Sequence, residues 1–274
     1  MDALATLVDY GAPILPGIAV LGGCSVLLWG SRTVLLRVVV AILAFVLLRD
    51  AMTPAGFWTF GVAAGWLRFT EDATVLLAFA AAPLLLALGW PLLDRDVGSL
   101  VVWGRLDARS VGLGVLAAAV VAGPWLAASI AIPLAARGGP VPSSLLPALL
   151  ALALAGNLFE EVLFRGALQG LLARQVGPPR AAVVSGVLFA GCHAFLASTV
   201  TDVGWPLLAF TAHEGLVCAE LRRRRGVAPA AITHGFAINL YDIDVEVQPG
   251  ETKKIEFVAD KPGVYPFYCS NFCS

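Results

Sequence analysis

Three charges stand within six residues in the run GNLFEEVLFRG, residues 156–166: Glu160, Glu161 and Arg165. The sequence before them, LLPALLALALAGNLF, is apolar throughout. Ionisable side chains inside a membrane are costly, and they face a bundle interior or a water-filled cavity. Helical geometry separates the three. Glu161 and Arg165 are i, i+4, so they share a face and can pair. Glu160 lies about 100° round from Glu161 and sits over Phe164 instead. That leaves one internal salt bridge and one carboxylate, Glu160, without a full partner. Such a carboxylate is a candidate general base.

A base needs company, and the chain has three histidines, His193, His213 and His234, all in later apolar runs. His193 sits mid-span in LFAGCHAFLAS, four residues after Phe189, and His234 sits in AAITHGFAIN. One carboxylate and two imidazoles suit two chemistries. Glu160, His193 and His234 could hold zinc or another divalent metal with a position open for water. Alternatively they activate and orient a water, with a histidine stabilising the oxyanion. Either hydrolyses a peptide bond. A histidine in a membrane helix also commonly bonds a neighbouring helix, which is the reading for His213 beside Glu214.

The elements that must position these residues are membrane helices. Hydrophobic residues make up 59% of the 274 and charged residues 14%, against roughly 25% charged in a soluble domain. Mean hydropathy is +0.85. Backbone groups in lipid must be satisfied within a helix or a closed barrel, so the composition predicts an all-α, polytopic bundle of about seven or eight helices. A span takes about 20 apolar residues, and the candidate spans are 12–30, 33–48, 73–93, 111–134, 144–173, 181–199 and 205–220, with a short last one at 228–240. The stretch 55–67 is too short to span and reads as an interfacial or re-entrant piece anchored by Trp58 and Trp66. With the N-terminus outside, eleven arginines (Arg32, Arg37, Arg95, Arg105, Arg109, Arg174, Arg180 and Arg222 to Arg225) fall inside and three (Arg49, Arg68, Arg137) outside. This is the positive-inside pattern of a multi-pass protein of the cell (inner) membrane, and it reads the run at 222–225 as a cytoplasmic anchor. The net charge of −1 gives no reason to expect a nucleic-acid partner. No basic residue precedes Arg32, so no cleaved signal peptide is expected.

The motifs EEVLFR (Glu160, Glu161, Arg165), FAGCH (Phe189, His193) and a late His234 after a basic turn resemble, in order and spacing, the CPBP/Abi family. These are intramembrane endopeptidases related to the CAAX-processing enzyme. The resemblance covers roughly 140–237. It implies that Glu160 activates water with His193 beside it, that His234 binds the oxyanion or a metal, and that Glu161, Arg165 and Phe189 hold the site's geometry. The family's last motif has Asn four residues after the histidine. Here that place is Ile238, and Asn239 is one position late, about 100° of helix away.

Composition breaks near the same point. Lysine is absent from residues 1–252, while Lys253, Lys254 and Lys261 follow, and three of the four tyrosines lie at 241, 265 and 268. From Tyr241 the pattern has period two with Pro-Gly turns, which predicts strands. THGFA, FVADKPGVYPFYC and the pair Cys269 and Cys273 resemble the copper-binding cupredoxin domain of nitrous-oxide reductases. By that resemblance the dinuclear site also takes a second His and a Met further on. Two thiolates and His234 are too few, so bound copper is not expected, and Cys269 and Cys273 read as a partial remnant. Cys24, Cys192 and Cys218 lie in apolar runs and read as small core residues.

The sequence thus predicts N-terminal transmembrane helices (1–140), a CPBP-like catalytic core (141–240) and a truncated cupredoxin-like β tail (241–274) on the outer side. The function expected is an integral-membrane endopeptidase acting on a membrane-associated protein or peptide. Two alternatives stand beside it: an inactive member of the same fold that binds a peptide or confers immunity, and a membrane-tethered copper electron-transfer module.

Overall fold

A computed structural model describes residues 3–28, 33–51, 57–61, 66–129, 141–200 and 204–234. The expected strands at 241–274, with Cys269 and Cys273, lie outside the described residues, as do Ile238 and Asn239.

Helices dominate, in chain order α1 (Ala3–Gly11), α2 (Leu15–Leu27), α3 (Val34–Ala51), α4 (Ala73–Leu93), α5 (Arg95–Gly98) and α6 (Ala108–Ser129). They continue with α7 (Leu146–Glu161), α8 (Gln169–Val176), α9 (Pro178–Gly191), α10 (Trp205–Arg225) and α11 (Val227–Ala231). Among the described residues, three helices are long and apolar enough to cross a membrane: Ala73–Leu93, Ser143–Val176 and Pro178–Ser198. Their outward faces carry aliphatic side chains, such as Leu85 and Val187, both more than half exposed. A water-facing surface would carry charges there, whereas lipid accepts them as they are.

Two expectations change. The expected span 12–30 is broken, because Ala12–Ile14 forms a 3₁₀ turn between α1 and α2, which meet at 67°. Pro13 and Pro16 lack the amide hydrogens a continuous helix would use there. The stretch read as interfacial or re-entrant contains a hairpin: β1 (Trp58–Gly61) pairs antiparallel with β2 (Trp66–Phe69), Trp58 opposite Phe69. The Thr70 amide donates to the Phe57 carbonyl at 3.0 Å and extends the ladder. Aromatic and β-branched residues favour that pleated state. The Phe57 ring then packs on Tyr10, Phe69 and Phe79. A strand pair thus lies among the described residues, outside the tail for which the sequence predicts strands.

Aspartates start several helices. Asp72 accepts from the Thr74 and Val75 amides at the head of α4. Asp94 does the same for α5 while pairing with Arg37 of α3 at 2.8 Å. Asp107 accepts from the Ser110 amide at 2.8 Å at the head of α6. That bond, outside the spans, holds its carboxyl below the usual carboxylate range. Each cap satisfies amides that a helix start leaves open.

The 34-residue helix Ser143–Val176 is the spine. At 1.5 Å per residue it is about 51 Å long, well beyond a ~30 Å hydrocarbon layer. Its middle, Val162–Leu168, is π-helical and wholly buried. Such segments loosen the carbonyl ladder, and here the Ser185 hydroxyl donates to the Phe164 carbonyl at 2.9 Å. The larger core cluster surrounds this segment: Val38, Ile42, Val101, Val162, Phe164 and Phe189.

Close backbone approaches fix the last helices. Helices α9 and α10 cross where Gly186 meets Gly215, and a Cβ on Gly215 would stand 2.6 Å from the Gly186 carbonyl oxygen. Gly104 and Gly226, at φ 78° and 98°, meet in the same way. Beside them the Val227 and Ala228 amides donate to the Val102 and Trp103 carbonyls at 2.8 and 3.0 Å. This docks the start of α11, and so sets where the chain reaches His234. Gly215→Val is expected to force α9 and α10 apart and cost about 1–3 kcal/mol, the usual range for overpacking. Unfolding in mixed detergent micelles measures it, and an unchanged midpoint would refute the contact's importance.

Candidate active site

Glu161 ends α7 with no exposed surface. Its Oε1 lies 2.9 Å from Arg165 NH1 and 2.9 Å from His234 Nε2. The Arg165 contact is an ion pair without an aligned N–H, so its strength is chiefly charge. Arg165 NH2 donates to the Gly215 carbonyl at 3.1 Å. The guanidinium carbon stands 4.2 Å from the centroid of the Phe189 ring, a cation–π distance. Glu161 Oε2 is buried with no hydrogen-bond partner among the described residues.

Glu160 differs from its neighbour in access. Its side chain is 15% exposed where that of Glu161 is 0%. Its Oε2 lies 3.7 Å from His234 Nδ1, beyond hydrogen-bond length. His234 Nδ1 lies closer, 3.3 Å, to Glu214 Oε1 of α10. Both nitrogens of His234 thus face carboxylate oxygens, an arrangement best served by a proton on each. Cys218 Sγ completes the surroundings, 3.4 Å from His234 Nε2.

His193 takes a different position. Its Nδ1 donates to the Phe189 carbonyl, four residues back, at 2.8 Å. Its Nε2 lies 3.0 Å from Arg49 NH1. A guanidinium can only donate and a carbonyl can only accept, so the imidazole is neutral with its hydrogen on Nδ1. Phe189 joins the two histidines. Its buried ring lies 4.6 Å from the imidazole of His193 and 6.0 Å from that of His234, centroid to centroid. It also meets the Phe164 ring edge-on at 5.1 Å.

Glu160, Glu161 and His234 therefore meet directly, while His193 reaches them through Phe189. The spacing argument gave Glu161 to Arg165 alone, but the structure divides its Oε1 between Arg165 and His234. The reason is that His234 approaches from the turn that follows α11, which no helical repeat in 156–166 can register. His213 is exposed and outside the cluster.

Three members were not read from the sequence. Glu214 stands beside His213 on α10, about 100° away on the helix, and an acid inside a span was the available signal. Cys218 is i+4 from Glu214 and shares its face. Arg49 was counted as an outer loop charge, but it lies in the last turn of α3 and bonds His193. Arg222 corrects the anchor reading in part, since it is buried and donates to the Leu100 carbonyl at 3.2 Å. Arg223 and Arg224 remain at the surface on Glu220.

Two triads of donors could be asked to hold a metal. In Glu160, His193 and His234, both nitrogens of His193 are committed, one of them to a cation. In Glu161, Cys218 and His234, ligand atoms lie within 4.8 Å of one another. There Glu161 Oε1 and His234 Nε2 are bonded to each other, and Arg165 shares the same oxygen. A divalent ion would have to open those bonds to enter either set.

Residues 142–240 match the family model described as Type II CAAX prenyl endopeptidase Rce1-like. Nitrous-oxide reductases of Ralstonia nicotianae and Cupriavidus necator are 57% and 55% identical to this chain over 42 residues, which is 15% of the chain and 6% of each relative. That of Stutzerimonas stutzeri is 45% identical over 42 residues, 15% of the chain and 7% of the relative. The chain therefore spans only 6–7% of the length of these curated relatives. No solved structure matches it. The segment 142–240, which carries Glu160, Glu161, Arg165, Phe189, His193 and His234, is thus similar to the Rce1-like CAAX prenyl endopeptidases, a family of intramembrane proteases.

Proposed function

We propose that this protein is an integral-membrane endopeptidase that hydrolyses a peptide bond in a membrane-associated protein or peptide, with Glu160 as the base. The observation that carries this reading is the grouping of Glu160, the one carboxylate of its pair with access, against His234, which three carboxylates surround. The 3.7 Å gap between Glu160 and His234 is of the kind a bridging water closes. Glu160 takes a proton from that water as its oxygen adds to the peptide carbonyl. The doubly protonated His234 stabilises the oxyanion that forms through its charge. The proton on Glu160 then passes to the leaving amine, and the carbon–nitrogen bond breaks. Glu161, Arg165 and Phe189 keep these groups in register. With Arg49 and Arg222 set aside as bonded inside the bundle, ten arginines against two support an orientation with the N-terminus outside and the basic end of α10 inside.

The test is cleavage of a membrane-anchored reporter peptide by the full chain in liposomes, with products identified by mass spectrometry. Absence of cleavage, or cleavage that does not need Glu160, removes this reading and leaves that of an inactive peptide-binding protein. Because a metal would have to open the bonds within either donor triad, no step is routed through one. Incubation with EDTA or 1,10-phenanthroline is expected to leave turnover within about twofold, well short of the large loss that removing a Lewis acid from a metalloprotease causes. Loss of activity on chelation, restored by zinc, would overturn the metal-free mechanism.

A further inference from the structure

Arg49 belongs to α3, outside the segment 142–240, and the roles so far given to that segment leave it unused. Its guanidinium is held on three sides. Nε bonds Asp50 Oδ1 at 2.9 Å, NH1 donates to His193 Nε2 at 3.0 Å, and NH2 donates to the Cys192 carbonyl at 3.0 Å. A guanidinium carries five N–H groups, so one hydrogen on each terminal nitrogen stays available. The side chain is 16% exposed, close to the value for Glu160, whereas Arg165 is fully enclosed. Its charge also reaches Glu160 electrostatically.

This contact changes what His193 can do. With Nδ1 donating to a carbonyl and Nε2 facing a cation, the imidazole has no lone pair left for water. It is built to anchor a guanidinium. Resting on the peptidase reading above, we propose that Arg49 is a further catalytic residue of this site: it presents a fixed cationic donor to the substrate's carbonyl oxygen, and His193 is the positioning residue that holds it. No redox or covalent step is added, since Arg49 gives hydrogen bonds to the oxygen as negative charge develops and releases them when the carbonyl re-forms. A donor already in place at that oxygen acts more strongly in the transition state than in the ground state. Three fixed partners supply that preorganisation.

The experiment compares full-length wild type, Arg49→Met, Arg49→Lys, His193→Asn and the double variant R49M/H193N in liposomes, on the same anchored reporter. Loss of one preorganised oxyanion donor lowers kcat by about 10²–10³-fold, and KM is expected to hold within about threefold because ground-state binding is not involved. R49K recovers part of the loss, having charge but no fork. The double variant is expected to be no slower than R49M, because the two side chains act as one unit. Solid-state ¹⁵N spectra of histidine-labelled protein, with His193 assigned by its absence in H193N, are expected to show a hydrogen on Nδ1 in wild type, and in R49M a shifted Nε2 resonance with the hydrogen still on Nδ1, where the Phe189 carbonyl holds it. Turnover that needs Glu160 but not Arg49 sinks this assignment alone. So does a double variant whose loss is the product of the single losses, or a His193 with its hydrogen on Nε2 in wild type. Absence of Glu160-dependent turnover sinks the peptidase reading, and this assignment with it. A folding defect is separated by the thermal midpoint and by the Nε2 resonance of His193, since misfolding lowers the active fraction without moving that resonance in the folded remainder.

Discussion

Glu160→Gln is expected to lower turnover by about 10²–10⁴-fold, the range that a positioned general base contributes. Glutamine keeps the shape and the acceptor oxygen of glutamate but cannot take a proton from water. The change should leave the fold alone, because Glu160 contributes only the longest ion pair to the buried frame: its contact with His234 is 3.7 Å, and the shorter bonds of that imidazole go to Glu161 and Glu214. Turnover of the anchored reporter and thermal unfolding should be measured on one preparation. Wild-type turnover in the variant would show that another group is the base. Glu214 is then the first to try, since its oxygen is nearer to the same imidazole nitrogen.

Glu161→Ala is expected to act on stability instead, by about 3–5 kcal/mol, as for a buried ion pair broken on one side. The alanine removes the counter-charge of Arg165 and the 2.9 Å acceptor of His234 together. Arg165 is left fully enclosed with the Gly215 carbonyl as acceptor and the Phe189 and Phe164 rings beside it. The companion E161A/R165M separates causes. Removing both charges restores much of the loss if the penalty is the uncompensated guanidinium, because a buried pair can often be exchanged for apolar groups at little cost. Equilibrium unfolding in mixed micelles reads both variants. If E161A unfolds within about 1 kcal/mol of wild type, Arg165 is not the buried and dependent charge described here.

Much of the fold was legible from the sequence, because membrane helices announce themselves locally. A chain with 59% hydrophobic and 14% charged residues leaves helices as the economical solution in lipid, and the runs of apolar residues locate them. The errors came from local chemistry that a hydropathy window averages away. Pro13 and Pro16 interrupt the first span, and aromatic residues around 58–69 pair as strands although their hydropathy suits an interface. Charge counting also treats arginines alike. It placed Arg49 among loop residues and Arg222 among solvated ones, where the structure gives both buried hydrogen-bond partners.

The candidate site divides in the same way. Within one helix the sequence was sufficient: period and spacing alone set Glu161 against Arg165 and turn Glu160 from them. The order of EEVLFR, FAGCH and the late His234 likewise pointed to the family that residues 142–240 resemble. What the sequence by itself determined is therefore a helical membrane protein, the faces of its charged helix, and a protease-like segment. Only the tertiary structure decided which faces meet. It joined Arg49 to His193, 144 residues away. It also set Glu214 on the imidazole that Glu160 approaches, and brought His234 onto Glu161, already paired with Arg165. The physical reason is range. Helical periodicity orders side chains about a single axis, whereas the rotation of one helix against another depends on where backbones can touch, here at Gly186 on Gly215 and Gly104 on Gly226, and no local pattern encodes those crossings.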